Sequence, residues 1–395
     1  MPYASDISIH DGLNRLCKRY LELFESAENQ RRLRHQGVPY NVLPEFPLLA
    51  AVTDARLKDT YLDPEAFVCF TLAHRIYRFE RWQDCTPLTK DIAYWPGVIL
   101  ETSIFGMEPV YLEKEDPWIV HRPIASSLED IKRLRAPFTP KSGVVRRMLE
   151  MTEYCRDHLP GFTVHVQAWD RAAVGTAMDL MGTEEFLMNA MTAPELVHAL
   201  MRKVTNARYA WSEARNACLA ERGFPIASSI SPGTGSGSDM VAACANIIAD
   251  EVNKPVLPLA MYDEFVHPYD QEVVEHYGAL NYYHSCGCLT PFLPAIARLR
   301  PATQHISYWT DLETAVRIYE GSPTLLQKTL HPLRDVLERD TDGMMAVLKG
   351  IRKLADGRVN YCVIANGIDN PRGDMELTLS KCDQWVGAAA DVFGG

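Results

Sequence analysis

Short apolar segments alternate with longer amphipathic ones through most of the chain. From about residue 90 onward, eight apolar runs of strand length are separated by stretches with helical spacing of apolar residues. Helix start signals lie between several of them, at Ser127–Asp130, Thr192–Glu195 and Thr310–Glu313. This alternation predicts an α/β fold, with a (β/α)8 TIM barrel favoured over a doubly wound open sheet. The candidate strands are DIAYWPG, FTVHVQAWD, FPIASSIS, ANIIADE, LNYYHSCG, TQHISYW, TLLQKTL and YCVIANG.

The first 90 residues have a different pattern. The segment KRYLELFESAENQRRLRHQ is a charged amphipathic helix pattern, and PEAFVCFTLAHRIYRFERW is a more apolar one. No linker rich in Gly or Ser separates this part from the rest of the chain. We therefore predict an N-terminal helical extension, residues 1–90, packed on a catalytic barrel formed by residues 91–395.

The segment YYHSCGC, residues 282–288, combines one histidine and two cysteines at the end of a predicted strand. His284 and Cys286 are two residues apart, so a strand directs both side chains to the same side. Gly287 and Cys288 are expected to form the turn, and Thr290 to cap the next helix ahead of a proline. In a barrel, such strand ends surround the active site.

Three interpretations of this segment follow. A zinc site needs three or four N and S ligands and keeps one position open when it is catalytic. His284 and Cys286 supply two ligands, and Cys362 in the last predicted strand is a candidate for the third. The alternatives are a buried strand end with inert thiols, or a Cys–His nucleophile, although no peptidase signature surrounds Cys286.

The composition of the chain limits the classes of protein in which this segment can act. The chain has 395 residues, a net charge of -11 and ten scattered cysteines. The acidity argues against nucleic-acid binding. We find no signal sequence and no apolar stretch long enough to cross a membrane, which predicts a cytoplasmic protein with free thiols. A homodimer is compatible with these features.

His284-Ser285-Cys286-Gly287, followed by Cys362, resembles the His-x-Cys…Cys zinc site of cobalamin-dependent methyltransferases in the uroporphyrinogen decarboxylase superfamily. This resemblance implies a (β/α)8 barrel with Zn²⁺ held by His284, Cys286 and Cys362. Further segments that resemble the superfamily are Ser103–Gly106, Ser127–Ile131, Gly182–Leu187, Thr192–Val197, Asp250 and Met261–Tyr269.

The resemblance also indicates a branch of the superfamily. Uroporphyrinogen decarboxylases need no metal and carry an Arg-Gln-Ala-Gly-Arg type of motif, whereas the nearest basic cluster here, His74–Arg78, looks like a solvated helix face. No Asp-x-His-x-x-Gly motif for cobalamin is found, which implies a corrinoid on a separate partner protein. The expected reaction is methyl transfer from a small-molecule donor to cobalt(I), with an O-demethylase acting on a methoxylated aromatic favoured.

Several residues are expected to serve this reaction. Asp250 and Glu251 are candidates for a displaceable fourth ligand or a proton relay, against a purely structural role as capping or salt-bridging carboxylates. The Gly233–Ser238 segment lacks the pattern of a nucleotide-binding loop and is expected to be a mobile loop at the barrel mouth. Aromatic residues near predicted strand ends could line a donor pocket or belong to the core; they are Trp95, Trp169, Tyr308 and Trp309.

Two other functions remain open from the sequence. One is a zinc alkyltransferase that acts on a small thiol such as coenzyme M without a corrinoid. The other is a uroporphyrinogen decarboxylase-like or non-catalytic binding barrel, in which four firm ligands would close a structural zinc site.

Overall fold

The main sheet consists of six parallel strands, in a computed structural model that describes residues 7–226 and 244–394. Its strand order is β1-β10-β9-β8-β7-β6, and β2 and β5 form a separate parallel pair. A short antiparallel hairpin, β3 and β4, lies outside both. The strands are β1 (Tyr40–Pro44), β2 (Asp91–Tyr94), β3 (Pro109–Val110), β4 (Trp118–Ile119), β5 (Thr163–Val166), β6 (Ala245–Ile248), β7 (Leu280–His284), β8 (Thr303–Ile306), β9 (Leu325–Leu330) and β10 (Asn360–Ile368).

The pair β2–β5 continues the row of the main sheet. Ile248 at the end of β6 donates its backbone N–H to Asp170 O at 2.9 Å, and Arg171 forms a parallel bridge with Ile248. Eight parallel strands thus follow one another from β2 to β1, consistent with a TIM-barrel-like arrangement. Within the described residues, no ladder joins β1 to β2. The predicted parallel α/β fold is confirmed, and the closed barrel stays a prediction.

Helices connect the strands and cover the sheet. α5 illustrates why the sequence forms a helix here. Asp63 caps it by accepting from Ala66 N, Pro64 occupies its first turn, and its apolar residues are buried. One 3₁₀ turn, Ile9–Asp11, and two π-helical segments, Tyr262–Val266 and Pro332–Leu337, accompany the α-helices. The α-helices are α1 (Leu13–Phe24), α2 (Ala27–Leu33), α3 (Phe46–Val52), α4 (Leu57–Leu62), α5 (Pro64–Arg81), α6 (Leu100–Ile104), α7 (Leu128–Arg133), α8 (Gly143–His158), α9 (Ala173–Met181), α10 (Thr183–Thr192), α11 (Pro194–Glu221), α12 (Leu259–Met261), α13 (His267–Tyr277), α14 (Leu293–Arg298), α15 (Leu312–Tyr319), α16 (Thr341–Ala355) and α17 (Met375–Phe393).

Seven of the eight predicted strand segments contain a strand. The eighth, 224–231, falls mostly outside the described residues, and its described part, 224–226, has no strand. Sequence patterns missed β1, which pairs with β10 although it lies within the predicted extension 1–90. That extension is otherwise helical, with Ser26 starting a new helix inside the first predicted one. The domain boundary at residue 90 stays a prediction.

The predicted helix starts have mixed outcomes. Ser127 caps α7 as expected, by accepting from Asp130 N. Asp311, and not Thr310, caps α15. A helix does begin in the predicted segment, since α11 starts at Pro194, but the predicted cap at Thr192 is wrong: Thr192 is the last residue of α10, and its hydroxyl donates to Met188 O at 2.9 Å. The prediction at Thr290 is also wrong: α14 begins at Leu293, and Thr290 Oγ1 accepts from Asp311 N at 3.0 Å.

None of the helices in the described part of the chain combines the length and the apolarity that a membrane span requires.

Candidate metal centre

Three side chains converge where β6 and β7 end. Ligand atoms of Asp250, His284 and Cys286 all lie within 4.8 Å of one another. His284 Nε2 is 3.2 Å from Cys286 Sγ and 3.4 Å from Asp250 Oδ1. A nitrogen, a sulfur and a carboxylate oxygen therefore face one small volume, as the ligands of a metal ion would.

The backbone explains why these residues meet. β6 and β7 stay together beyond their ladder, because Ala249 N donates to His284 O at 2.8 Å. Asp250 thereby comes alongside Cys286, and its Oδ1 accepts from Cys286 N at 2.8 Å. The carboxylate thus holds the peptide that carries the thiol.

Gly287 allows the turn after Cys286 to pack closely on its neighbour. A Cβ at this position would overlap the Asn253 side chain. Asn253 Oδ1 in turn accepts from Cys288 N at 3.0 Å, and Ser285 Oγ accepts from Gly287 N at the same distance. The loop that presents Cys286 is therefore fixed by side-chain acceptors on both sides.

Buried polar groups hold the His284 ring. Its Nδ1 lies 3.0 Å from Tyr282 Oη, whose hydroxyl donates to Gln327 Oε1 at 2.6 Å. The ring stacks on His305 with centroids 4.1 Å apart. His305 is itself fixed, because its Nδ1 donates to Ser285 O at 2.8 Å. The imidazole has one orientation, with Nε2 directed at Asp250 and Cys286.

The surroundings of the cluster favour an ionised Asp250 and a protonated His284. Burial opposes the ionised form of Asp250, but the charge and hydrogen bond of His284 and the Cys286 N–H hold its pKa below the usual range. Burial likewise disfavours protonated His284, yet Tyr282, Asp250 and Cys286 raise its pKa above the ordinary value. Burial and the neighbouring His284 lower the pKa of His305, so this ring stays neutral. The cluster is thus acceptor-rich, and a bound cation could take the place of the His284 proton.

These donors fit zinc. Imidazole nitrogen, thiolate and carboxylate oxygen are the ligand types that zinc takes in proteins. Metal-bound histidines also hydrogen-bond through their second ring nitrogen, which here faces Tyr282. Asp250, His284 and Cys286 would hold such an ion.

Cys362 lies in the same layer of the fold but outside this cluster. The register places Cys362 beside Gln327 on β9, and Gln327 beside His305 on β8. Its neighbour Tyr361 packs on Phe393 of α17, so alternation turns Cys362 to the other side of the sheet, with Gln327. Cys362 is fully buried, and burial raises the pKa of its thiol to about 12. Its role as a zinc ligand stays a prediction.

Glu251 faces away from the cluster. Its Oε1 pairs with the Arg171 guanidinium at 2.6 Å, and a Cβ on Gly175 would lie against its Oε2. Arg171 also pairs with Asp179 at 2.9 Å. Glu251 thus belongs to a buried ion-pair network with Arg171 and Asp179.

The four predicted substrate-binding aromatics do not form one group. Trp169 is 2% exposed and packs edge-on against Phe105 and Trp211, so it belongs to the core. Trp95 is half-buried against Phe46 after β2.

Tyr308 and Trp309 follow β8. Trp309 is 54% exposed, and the Tyr308 ring lies tilted against His331 with ring centroids 4.6 Å apart. Their loop is tied to the loop after Cys286, because Ser307 Oγ donates to Gly287 O at 2.6 Å. Of the predicted aromatics, these two therefore lie on a loop that contacts the loop after Cys286. The Gly233–Ser238 segment lies outside the described residues.

Sequence reasoning missed Tyr282, Gln327 and the ion-pair network around Arg171. Tyr282 could have been found because it lies two residues before His284 on one strand, so both side chains point to the same face. Gln327 could have been found as a polar residue within an apolar run. Their contact depends on the register of β7, β8 and β9, which no local pattern specifies.

Comparisons with known proteins agree with this fold. The sequence model of the uroporphyrinogen decarboxylase (URO-D) family matches residues 53–216, a range that ends before the metal cluster. A solved methyltransferase from Methanosarcina mazei has a similar fold, with a TM-score of 0.62 and 15% sequence identity over 96% of this chain and 98% of that chain. No curated protein sequence matches significantly. The family match and the structural similarity together support a uroporphyrinogen decarboxylase-like fold for this chain.

Proposed function

We propose that this protein is a zinc-dependent methyltransferase. The observation that carries the proposal is the convergence of His284 Nε2, Cys286 Sγ and Asp250 Oδ1 at the end of β7. The similarity in fold to a protein described as a methyltransferase supports it. In an α/β barrel, this edge of the sheet is where catalytic groups collect.

We further propose His284, Cys286 and Cys362 as the lasting ligands, with Asp250 as a displaceable one. Zinc in such a site acts as a Lewis acid on an oxygen or sulfur atom. Asp250 fixes Cys286 by accepting from its peptide N–H and, as a displaceable ligand, would leave a position for the substrate. Cys286 is exposed, which supports an accessible position beside it.

The donor that we favour is a methoxylated aromatic. Phenolate leaves poorly, so a cation or a proton at the ether oxygen lowers the barrier by stabilising the developing charge. Tyr308 and Trp309 lie on the loop that contacts the turn after Cys286 and offer aromatic surface for the ring. The acceptor that we propose is cobalt(I) on a separate corrinoid protein.

A thiol acceptor is the second candidate. Zinc sites rich in thiolate also bind and deprotonate small thiols, and the exposed position of Cys286 is open to either substrate. A corrinoid would then not be needed.

The experiment is a spectral assay of methyl transfer. The purified protein is mixed with reduced cobalamin or a corrinoid protein and a panel of methoxybenzoates, methoxyphenols, methanol, methylamines and methyl thiols. Conversion of cobalt(I) to methyl-cobalt(III) that needs both the protein and an aryl ether supports the proposal. Activity only with methanol or a methyl thiol contradicts the aromatic donor. Methyl transfer to a free thiol without any corrinoid favours the second candidate.

A further inference from the structure

We propose that Tyr282 and Gln327 are positioning residues that hold the ring proton of His284 on Nδ1, so that Nε2 is the nitrogen that binds a metal ion. This inference rests on the zinc site proposed above. It concerns two residues that are not ligands and that come from different strands, β7 and β9. The effect that we assign to them is on metal affinity, through the tautomer of His284.

The direction of the hydrogen bonds carries the argument. The oxygen of the Gln327 amide accepts only, so the Tyr282 hydroxyl proton lies between Tyr282 Oη and Gln327 Oε1, which are 2.6 Å apart. The lone pairs of Tyr282 Oη then face His284 Nδ1 at 3.0 Å. His284 Nδ1 therefore carries the proton of the neutral ring, and a cation that replaces the proton between Nε2, Asp250 and Cys286 would meet the lone pair of Nε2.

Burial and stacking limit other arrangements. Tyr282 and Gln327 are each only 2% exposed, so bulk water has little access to either partner. The stacked ring of His305, held by its hydrogen bond to Ser285 O, limits rotation of His284. His305 Nε2 is directed at Thr329 Oγ1, 3.3 Å away, and does not compete for Tyr282.

Gln327 decides whether Tyr282 accepts or donates. Without an acceptor on β9, the phenol would donate to His284 Nδ1, and the ring proton would move to Nε2. That tautomer has no lone pair for a metal at the cluster. Groups that orient a metal-bound histidine in this way change metal affinity by about 10–100-fold.

The test compares zinc affinities in competition with a chromophoric chelator. Gln327→Met removes the acceptor while keeping the side-chain length, and Tyr282→Phe removes the hydroxyl. Gln327→Glu keeps an acceptor and serves as the rescue. Tyr283→Phe is the matched control, because Tyr283 is fully buried on the opposite face of β7 and its hydroxyl donates to Asp270 Oδ2 at 3.2 Å. Unfolding curves of the metal-free proteins show which variants fold.

We expect zinc affinity to fall about 10–100-fold in Gln327→Met and in Tyr282→Phe, and to stay within about twofold in Gln327→Glu and Tyr283→Phe. Wild-type affinity in either folded variant of the first pair overturns the positioning role while the zinc site stands. An equal loss in Tyr283→Phe also overturns it, because the effect would then be one of general stability. If the wild-type protein binds no zinc, the proposed metal site fails and the positioning role fails with it.

Discussion

At the residue scale, Trp169 and Trp309 illustrate how the position of a tryptophan near a strand end decides its role. Trp169 is enclosed by Phe105 and Trp211, and its indole N–H donates to Arg171 O at 3.2 Å. Trp309 is largely exposed on the loop after β8. Sequence alone shows a large aromatic near the end of a strand in both cases. Which side of the sheet receives the ring follows from packing, so the sequence left a pocket role and a core role open for Trp169.

The first prediction separates these two tryptophans. Trp169→Ala should lower the free energy of unfolding by about 3–5 kcal/mol, because it leaves a large cavity in the core. Trp309→Ala should change stability by less than about 0.5 kcal/mol, as exposed substitutions usually do, and should weaken aryl ether donors selectively. Urea unfolding and donor kinetics measure the two effects. A large stability loss in Trp309→Ala, or unchanged KM for aryl donors, would contradict the prediction.

A second prediction concerns Gly287. The Cβ of Gly287→Ala would overlap Asn253 and disturb the loop that presents Cys286, so we expect a loss of about 1–3 kcal/mol and weaker metal retention. Gly350→Ala is the control: Gly350 lies in α16 with open space around it, and alanine there should stabilise by about 0.5–1 kcal/mol. Thermal unfolding with metal analysis checks both. Equal stability changes in the two variants would mean that the close approach to Asn253 has no effect.

At the element scale, neighbouring residues before α15 have separate functions. Asp311 Oδ1 accepts from Thr314 N at 2.8 Å and caps the helix. Thr310 Oγ1 accepts from Leu289 N at 2.9 Å and ties this segment to the loop after Cys288. The capping motif in the sequence fits either residue. Tertiary contact with a loop 21 residues earlier selects Asp311 for the cap.

The third prediction tests this division. Asp311→Ala should cost about 1 kcal/mol, the usual loss for a helix cap. Thr310→Val should cost about 1–3 kcal/mol because it leaves a buried N–H without a partner. Hydrogen exchange at the Leu289 amide should accelerate strongly in Thr310→Val only. Equal exchange in the two variants would show that Thr310 does not hold the loop.

Packing of β7 on α13 predicts a pH dependence. Asp270 is buried on α13, and burial raises its pKa to about 7 despite the hydrogen bond from Tyr283. A carboxyl with a raised pKa binds its proton more tightly in the folded state. Its contribution to stability is therefore fully present below the unfolded pKa, near the ordinary value of 3.8, and is lost as the pH rises to about 7.

The fourth prediction follows from this loss of stability as the pH rises. Asp270→Asn removes the ionisation and should make the decline in the free energy of unfolding between pH 4 and pH 7 less steep, while buried Asp170, whose pKa is also raised to about 7, keeps its own contribution. Urea unfolding at several pH values measures the slope in both proteins. A variant with the same slope as the wild type would show that Asp270 does not cause the decline.

At the scale of the whole molecule, the sequence predicted the parallel α/β fold because apolar runs and helical spacing are local signals. The hydrophobic pattern did not predict β1 because YNVLP is short and contains a polar residue and a proline. Its pairing with β10 joins residues more than three hundred positions apart. The same limit applies to the site. His284 and Cys286 were visible as a local motif, whereas Gln327 and the position of Cys362 depend on strand order.

Metal analysis of the purified protein tests whether the end of β7 binds one zinc ion, as we propose. We predict one zinc per chain in the wild type, with nitrogen and sulfur ligands by X-ray absorption, and loss of zinc in Cys286→Ser and Cys362→Ser. Cys288→Ser is the control and should retain the metal, because the Cys288 thiol is directed at Thr290 Oγ1, 3.5 Å away. A wild-type protein without zinc, or a metal that survives in Cys286→Ser and is lost in Cys288→Ser, would contradict this account.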